Sequence, residues 1–289
     1  VSITDTFSDH YVTRNVFGAL HKMLQDRATL AYFLFLVFVL VLGVFGPVIA
    51  PYDPTANQVT ESGTYLKLAE PSLEHPLGTN ERAQDVLSRV LHGARPTLLI
   101  GGLSGIILIS LGTLVGVTAG YSGGRTDSIL MRFTDVFYSI PLLPAVLVFV
   151  ALFELGFMGT IVVIGFVLWR SSARVLRSQV LQIKSRPFVM AAKASGAGPI
   201  RIVFKHILPN IMPMIVLFFS IGVGVSIVLE AGLSFLGVTD PFTPTWGLMV
   251  RNVFNSGYVS EAWWWTLPPA LMIGTTVLAT FMFGRSYET

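Results

Sequence analysis

The sequence predicts an all-α integral membrane protein with six transmembrane helices, and three observations predict it. The composition is 53% hydrophobic with only 12% charged residues, and the mean hydropathy is +0.69; soluble domains carry roughly 25% charged residues. Apolar runs recur, most of them near the roughly 20 residues that a helix needs to cross a bilayer. Lys and Arg gather in alternate connecting segments, the pattern that sets membrane orientation. Cysteine is absent and the five histidines are scattered, so neither disulfides nor a metal site is expected. The net charge of +3 does not point to nucleic acid, because the basic residues flank apolar segments instead of lining one face.

Residues 1–27 are read as a polar cytoplasmic segment ahead of the first span, 28–50. A signal peptide has an apolar region of about 7–15 residues; this run is longer, and a retained span is expected. Residues 51–96 form an extracytoplasmic loop. Five further spans follow at 97–120, 128–153, 159–173, 211–237 and 263–284, within a core that covers 97–289. The fourth helix is expected to run past Arg174. Lys67, Arg82, Arg89, Arg95 and Arg251 fall on one side of this arrangement and the other fourteen of the nineteen basic residues on the opposite side. The richer side is the cytoplasm by the positive-inside rule, which places both termini there.

Within the spans, Gly101, Gly105, Gly112, Gly116 and Gly120 keep to one helix face, where small residues let backbones approach closely. They serve either packing within the chain or a subunit contact or moving wall. Pro141 and Pro144 each remove a backbone donor and are expected to bend the third span. Glu230 interrupts an apolar run, and an ionisable residue in a span is a functional candidate. Its distance from the cytoplasmic helix start, roughly 30 Å at 1.5 Å per residue, puts it near the outer interface within reach of water. It serves there as a pairing or capping group, or in an outer gate. Arg132 and Asp135 are spaced for a local ion pair. Trp263, Trp264 and Trp265 sit where aromatic belts anchor spans.

The basic segment between the fourth and fifth spans, 174–209, carries the most information. Phe188–Ser195 suits two helical turns, Gly196 a left-handed stop, and Pro199 the first position of a second short helix. In that helix Ile200, Val203, Phe204 and Ile207 recur at i, i+3, i+4 and i+7, making one apolar face. Helices this short need something to pack on. Either a protein partner or the cytosolic ends of the spans would do.

The stretch MAAKASGAGPIRIVFKHILP resembles the cytoplasmic EAA loop of ABC importer permeases, patterned E-A-A-x3-G-x9-I-x-L-P. Ala191, Ala192, Gly196, Leu208 and Pro209 match; Met190 stands where the family has glutamate, and Ile207 falls one residue off the usual isoleucine. FGPVIAPYDP, HPLGTNERAQDVLSRVLHGARPTLLIG, AGYSGGRTDSILMRFTDVFYSIP, LEAGLSFLGV and PTWGLM extend the likeness to the dipeptide/oligopeptide/nickel branch, in its C-type subunit. The usual G-R-D of that branch is Ala83-Gln84-Asp85 here, so its basic contact is either lost or taken over by Arg82.

The resemblance implies a leading span plus the five-span permease core of an ABC importer in the cytoplasmic membrane of a prokaryote. It implies a homologous second permease, two ATPase subunits that bind ATP and Mg, and an extracytoplasmic substrate-binding protein. Phe188, Met190, Ala191, Ala192, Gly196, Ile200, Val203, Phe204, Leu208 and Pro209 would couple to the ATPase, and Glu230, Pro141 and Pro144 would serve translocation or gating. Peptides are the expected cargo, with nickel chelates, glutathione or oligosaccharides as alternatives. No G-x-x-x-x-G-K-[ST] phosphate loop occurs, so this chain is expected to bind no ATP and to be no enzyme. No hydrolase or metalloprotease motif is read from it. A secondary transporter, the competing class, would show charges or broken helices at mid-bilayer.

Overall fold

A computed structural model describes residues 26–287; apart from Asp26 and Arg27, the polar N-terminal segment with Arg14 and Lys22 lies outside them. The first helix, α1 (Arg27–Ile49), is started by Asp26, whose carboxylate accepts from the Thr29 hydroxyl at 2.6 Å and the Thr29 amide at 3.2 Å. Those bonds hold the Asp26 carboxyl below the usual range. Helices α2 (Val86–Ser122), α5 (Phe157–Lys184) and α10 (Trp263–Arg285) are, like α1, long and apolar enough to cross a membrane. So is the continuous run Pro199–Leu236, which ends in α8 (Leu208–Leu236). The sixth span is a broken pair, α3 (Gly124–Ser139) and α4 (Leu142–Leu152), whose axes differ by 81°. Between α5 and α8 lie α6 (Pro187–Ala194) and α7 (Pro199–Ile202); α9 (Trp246–Ser256) precedes α10.

Close backbone approach builds the bundle. The glycine row of α2 meets two partners in succession. A Cβ at Gly101 or Gly105 would lie 3.0–3.1 Å from Ile227 and Val223 of α8, and one at Gly116 would lie 2.6 Å from the Ala173 carbonyl of α5. Only small residues allow this, and in lipid such packing replaces the missing hydrophobic force. The row therefore serves packing within the chain. Gly43 and Gly46 of α1 meet Leu98 and Leu91 of α2 in the same way, and Gly284 of α10 meets Ser220 of α8.

Several elements differ from the sequence-based expectation. The second helix starts at Val86, eleven residues before the apolar run, because Asp85 caps it by accepting from the Ser88 amide at 2.7 Å. At 37 residues it is about 55 Å long, well beyond the hydrocarbon core. Pro141 marks the break between α3 and α4, but Pro144 does not bend a helix: it lies in the first turn of α4, where an amide would have no partner anyway. Asp135 pairs with Arg174 of α5 at 2.5 Å, not with Arg132. Of the three tryptophans only Trp263 is exposed; Trp265 is 1% exposed, and the Trp264 indole donates to the Thr79 carbonyl at 3.3 Å. They clamp the segment 50–85 onto the bundle.

That segment is folded around polar groups. His75 Nδ1 lies 2.9 Å from Asp85 Oδ1, and the Tyr52 ring packs at a tilt against the His75 ring, with centroids 4.8 Å apart. Arg82 does not take over a buried contact: its side chain is 71% exposed and meets only neighbouring Glu81. Buried Arg89 instead donates to Gln84 Oε1 at 2.7 Å and to the Pro54 carbonyl at 3.0 Å. Ala83, in the position where the resembling family has glycine, is fully buried with a φ of +59°. A left-handed L-residue costs roughly 1–2 kcal/mol, while glycine gives back about 0.5–1 kcal/mol in flexibility. Ala83→Gly is therefore expected to raise the thermal unfolding midpoint in detergent; a lower midpoint would show that the Ala83 methyl outweighs its backbone strain.

Candidate functional site

The segment between α5 and α8 is a built surface. Helix α6 starts with Pro187 at its first position and ends in a full left-handed cap: Gly196, at φ +82°, donates to the Lys193 carbonyl at 3.1 Å, and Ala197 to the Ala192 carbonyl at 3.1 Å. Gly198 and Pro199 then restart the chain as α7. A Cβ at Gly196 would meet nothing within 4 Å, so backbone conformation alone selects glycine there.

The apolar face expected along this second helix is not continuous. Val203–Ile207 forms a π-helical turn in which the Leu208 amide reaches back to the Val203 carbonyl. Pro209 explains it, since its ring cannot donate to the Lys205 carbonyl and would clash with it in a regular helix. The Asn210 side chain donates to the His206 carbonyl at 2.7 Å. The wider turn swings Ile207 inward, where it joins Val189, Ile202, Leu176, Val180 and Ile211 in a buried cluster. Phe188, Met190, Ile200 and Phe204 are left 45, 54, 75 and 68% exposed. Ala191 is exposed, Ala192, Val203, Leu208 and Pro209 half-buried. The segment thus does both things that the sequence left open: one face packs on the ends of the spans, and the other presents an apolar patch.

Glu230 belongs to a different region, at the far end of α8. It does not reach water, being 1% exposed. Its Oε1 accepts from the Ser234 hydroxyl at 2.6 Å and from the Thr245 hydroxyl at 2.7 Å. Thr245 also caps α9, accepting from the Leu248 amide at 3.1 Å. Next to it, Trp246 donates its amide to Thr97 Oγ1 at 3.1 Å and its indole N–H to the Val90 carbonyl at 2.9 Å. Glu230 is thus the pairing group that straps α9 across α8 and α2. Its Oε2 has no partner among the described residues. A cavity of about 10 Å³ opens beside it between Thr160, Thr239, Asp240 and Thr243, room for about one water molecule.

Neither Thr245 nor the Arg89–Gln84 contact was singled out by the sequence reading; the threonine before Trp246, with Leu248 three residues on, is a helix-start signal that could have found the former. Gly120-Tyr121-Ser122-Gly123-Gly124 does spell the hydrolase pattern G-x-S-x-G, contrary to expectation. Ser122 ends helix α2 and is exposed, without the strand-to-helix elbow that such chemistry needs.

Six apolar spans, counting the broken pair as one, and an exposed apolar patch on a connecting segment define a multi-pass membrane component built to join a larger assembly. Residues 112–286 match the family described as binding-protein-dependent transport system inner membrane component, and the chain belongs to that family. The dipeptide transport system permease protein DppC of Bacillus subtilis (strain 168) is 35% identical over 273 residues, covering 93% of this chain and 83% of that protein. The di/tripeptide permease DppC of Pseudomonas aeruginosa (strain UCBPP-PA14) is 33% identical, covering 90% and 86%. The glutathione permease GsiD of Pectobacterium atrosepticum (strain SCRI 1043) is 32% identical, covering 91% and 86%. A broken span also suits a secondary transporter, but the family match places this chain in the binding-protein-dependent class.

The tight seat of α9 gives a test. A Cβ on Gly247 would lie 2.6 Å from the Ala231 Cα and 3.0 Å from Glu230 Oε2. Overpacking of this kind costs about 1–3 kcal/mol, so Gly247→Ala is expected to lower the unfolding midpoint in detergent; an unchanged midpoint would mean that α9 is loosely seated.

Proposed function

We propose that the chain is a permease subunit of an ATP-driven importer that carries di- and oligopeptides, glutathione-like tripeptides included, into a prokaryotic cell. The exposed patch of Phe188, Met190, Ile200 and Phe204 carries this reading. Large apolar side chains on a basic, water-side segment are costly unless a protein covers them. The partner is an ATPase subunit, one of two that bind ATP and Mg; the chain itself has no phosphate loop. A homologous second permease completes the pathway, and a binding protein delivers substrate on the opposite side. ATP-driven closure of the ATPase pair pushes on 188–209, and the bundle alternates between two packings. Glu230 fastens the outer end, and Pro141 marks the element that bends.

In this reading 51–85 lies outside and both termini lie inside. Single cysteines in this cysteine-free chain can be probed with an impermeant thiol reagent in intact cells: Ser62→Cys is expected to label and Lys193→Cys to remain unlabelled. The opposite result would reverse the topology.

Docking has its own test. Because Ile200 and Phe204 are exposed, changing both to Ser is expected to alter stability by no more than about 0.5 kcal/mol for each while abolishing co-purification of the ATPase. Gly196→Val, strained by about 1–2 kcal/mol in the left-handed region, is expected to re-aim α7 and to weaken association or uncouple hydrolysis from uptake. Wild-type ATPase binding and uptake in both variants would rule the patch out as the docking surface.

A further inference from the structure

The break between α3 and α4 leaves two backbone carbonyls without their helical donors. In a continuous helix the Phe137 carbonyl would accept from residue 141 and the Ile140 carbonyl from residue 144; both are prolines and have no N–H. One side chain fills both vacancies. Arg170 Nη1, from α5, donates to the Phe137 carbonyl and, at 2.9 Å, to the Ile140 carbonyl. Its guanidinium carbon also lies 5.2 Å from the centre of the Tyr138 ring.

Arg170 is the first rung of a ladder. Arg174, one turn on, meets Asp135 at 2.5 Å and lies 4.2 Å over Tyr138. Arg177 forks Asp127, with Nε to Oδ1 and Nη2 to Oδ2 both at 2.5 Å. Lys184 donates to the Tyr121 carbonyl just before α3. Positions 170, 174, 177 and 184 share one face of α5, and each reaches α3 or its approach. Between the rungs, Phe133 and Phe137 pack on Trp169, and Phe137 on Phe166. Only Thr134 of α3 is buried, so α3 has little core of its own and follows α5. At its other end α5 passes into α6 through just Ser185 and Arg186.

We propose that Arg170 is the positioning residue of the transport cycle: it holds the break at Ile140–Pro141 and, with Arg174 and Arg177, makes α3 move with α5 when α6 is displaced. The inference rests on the importer reading given above. Arg170 touches neither the ATPase patch nor the Glu230 strap. Its role differs from a merely structural one, because the carbonyls could be satisfied by restoring backbone donors, whereas the tie between helices could not.

The complete complex, assembled with its ATPase, second permease and binding protein in proteoliposomes, tests this with labelled dialanine as cargo. Spin labels at Ile129→Cys on α3 and Leu278→Cys on α10, both exposed, report the travel of α3 between the nucleotide-free and ADP–vanadate states. In the wild type the distance is expected to shift. In Arg170→Ala the shift should be lost while ATP hydrolysis continues, with hydrolysis per imported dialanine rising at least about fivefold, the low end of coupling effects. Should Arg170→Ala fail to assemble, Arg170→Lys keeps the charge and one bond and should show a partial loss. The triple variant Arg170→Ala, Pro141→Ala, Pro144→Ala regains two donors and should stay uncoupled. Wild-type label travel in Arg170→Ala or Arg170→Lys, or a triple variant that couples normally, would overturn the proposal. A wild-type complex whose labels move without dialanine uptake would count against the peptide cargo and leave the role of Arg170 standing.

Discussion

Hydrocarbon offers a backbone no hydrogen-bond partners, so every peptide group within the bilayer must be satisfied inside the protein. The rest of this structure depends on that constraint. Where the chain stays helical the constraint is met by the helix itself, except beneath the prolines inside α1, α2, α8 and α10. At the break between α3 and α4 one side chain stands in for missing donors: Arg170 serves the Phe137 and Ile140 carbonyls. Beside Pro209 the Asn210 side chain donates to the His206 carbonyl. Outside the hydrocarbon the same logic recurs where Asp85 caps α2 and Gln84 anchors Arg89. The interruptions fall at a bend, in the exposed segment between α5 and α8, and at the entry to a long helix.

Helix association is solved by a second, weaker means. Lipid tails are as apolar as leucine, so contact area alone does not hold spans together. The glycine row of α2 brings the backbones of α5 and α8 within van der Waals contact, making α2 the central post of the bundle. The peripheral α1 exposes most of its large side chains, among them Leu34, Phe38, Leu40 and Val44. Besides its two glycine contacts with α2 it packs on α10, where Phe33 stacks on Phe283 at 5.9 Å.

The span count and the short-helix segment with its left-handed glycine were legible in the sequence, because each depends on local chemistry: apolar length and a Gly-Pro restart. What was not legible depends on tertiary partners. The face containing Ile207 was assigned with a 3.6-residue period, and a single π turn moved that residue from the exposed side to the core. Trp264 and Trp265 have the composition of an interfacial belt, yet the segment 50–85 folds over them. Glu230 was placed by counting rise per residue, which gives depth and says nothing of the strap formed by α9 above it. Asp135 found a partner 39 positions away in preference to one three positions away, because α5 packs beside α3.

The arginines connect the last of these points to the first. Arg170, Arg174 and Arg177 are among the basic residues from which the sequence-based orientation is read, because Lys and Arg beside spans favour the cytoplasmic side. The same three residues bind α3 to α5. Orientation alone would accept Lys at each place and any helix face. At Arg177 the structure uses the guanidinium fork, two donors to the two oxygens of Asp127, a geometry that a point-charge ammonium does not match. The structure also puts the three arginines on one stripe, aligned with Asp127, Asp135 and the open carbonyls of a proline-broken helix. The basic residues here therefore carry two separable requirements, and geometry separates them: charge alone serves insertion, whereas fork shape and spacing serve the coupled movement of two helices.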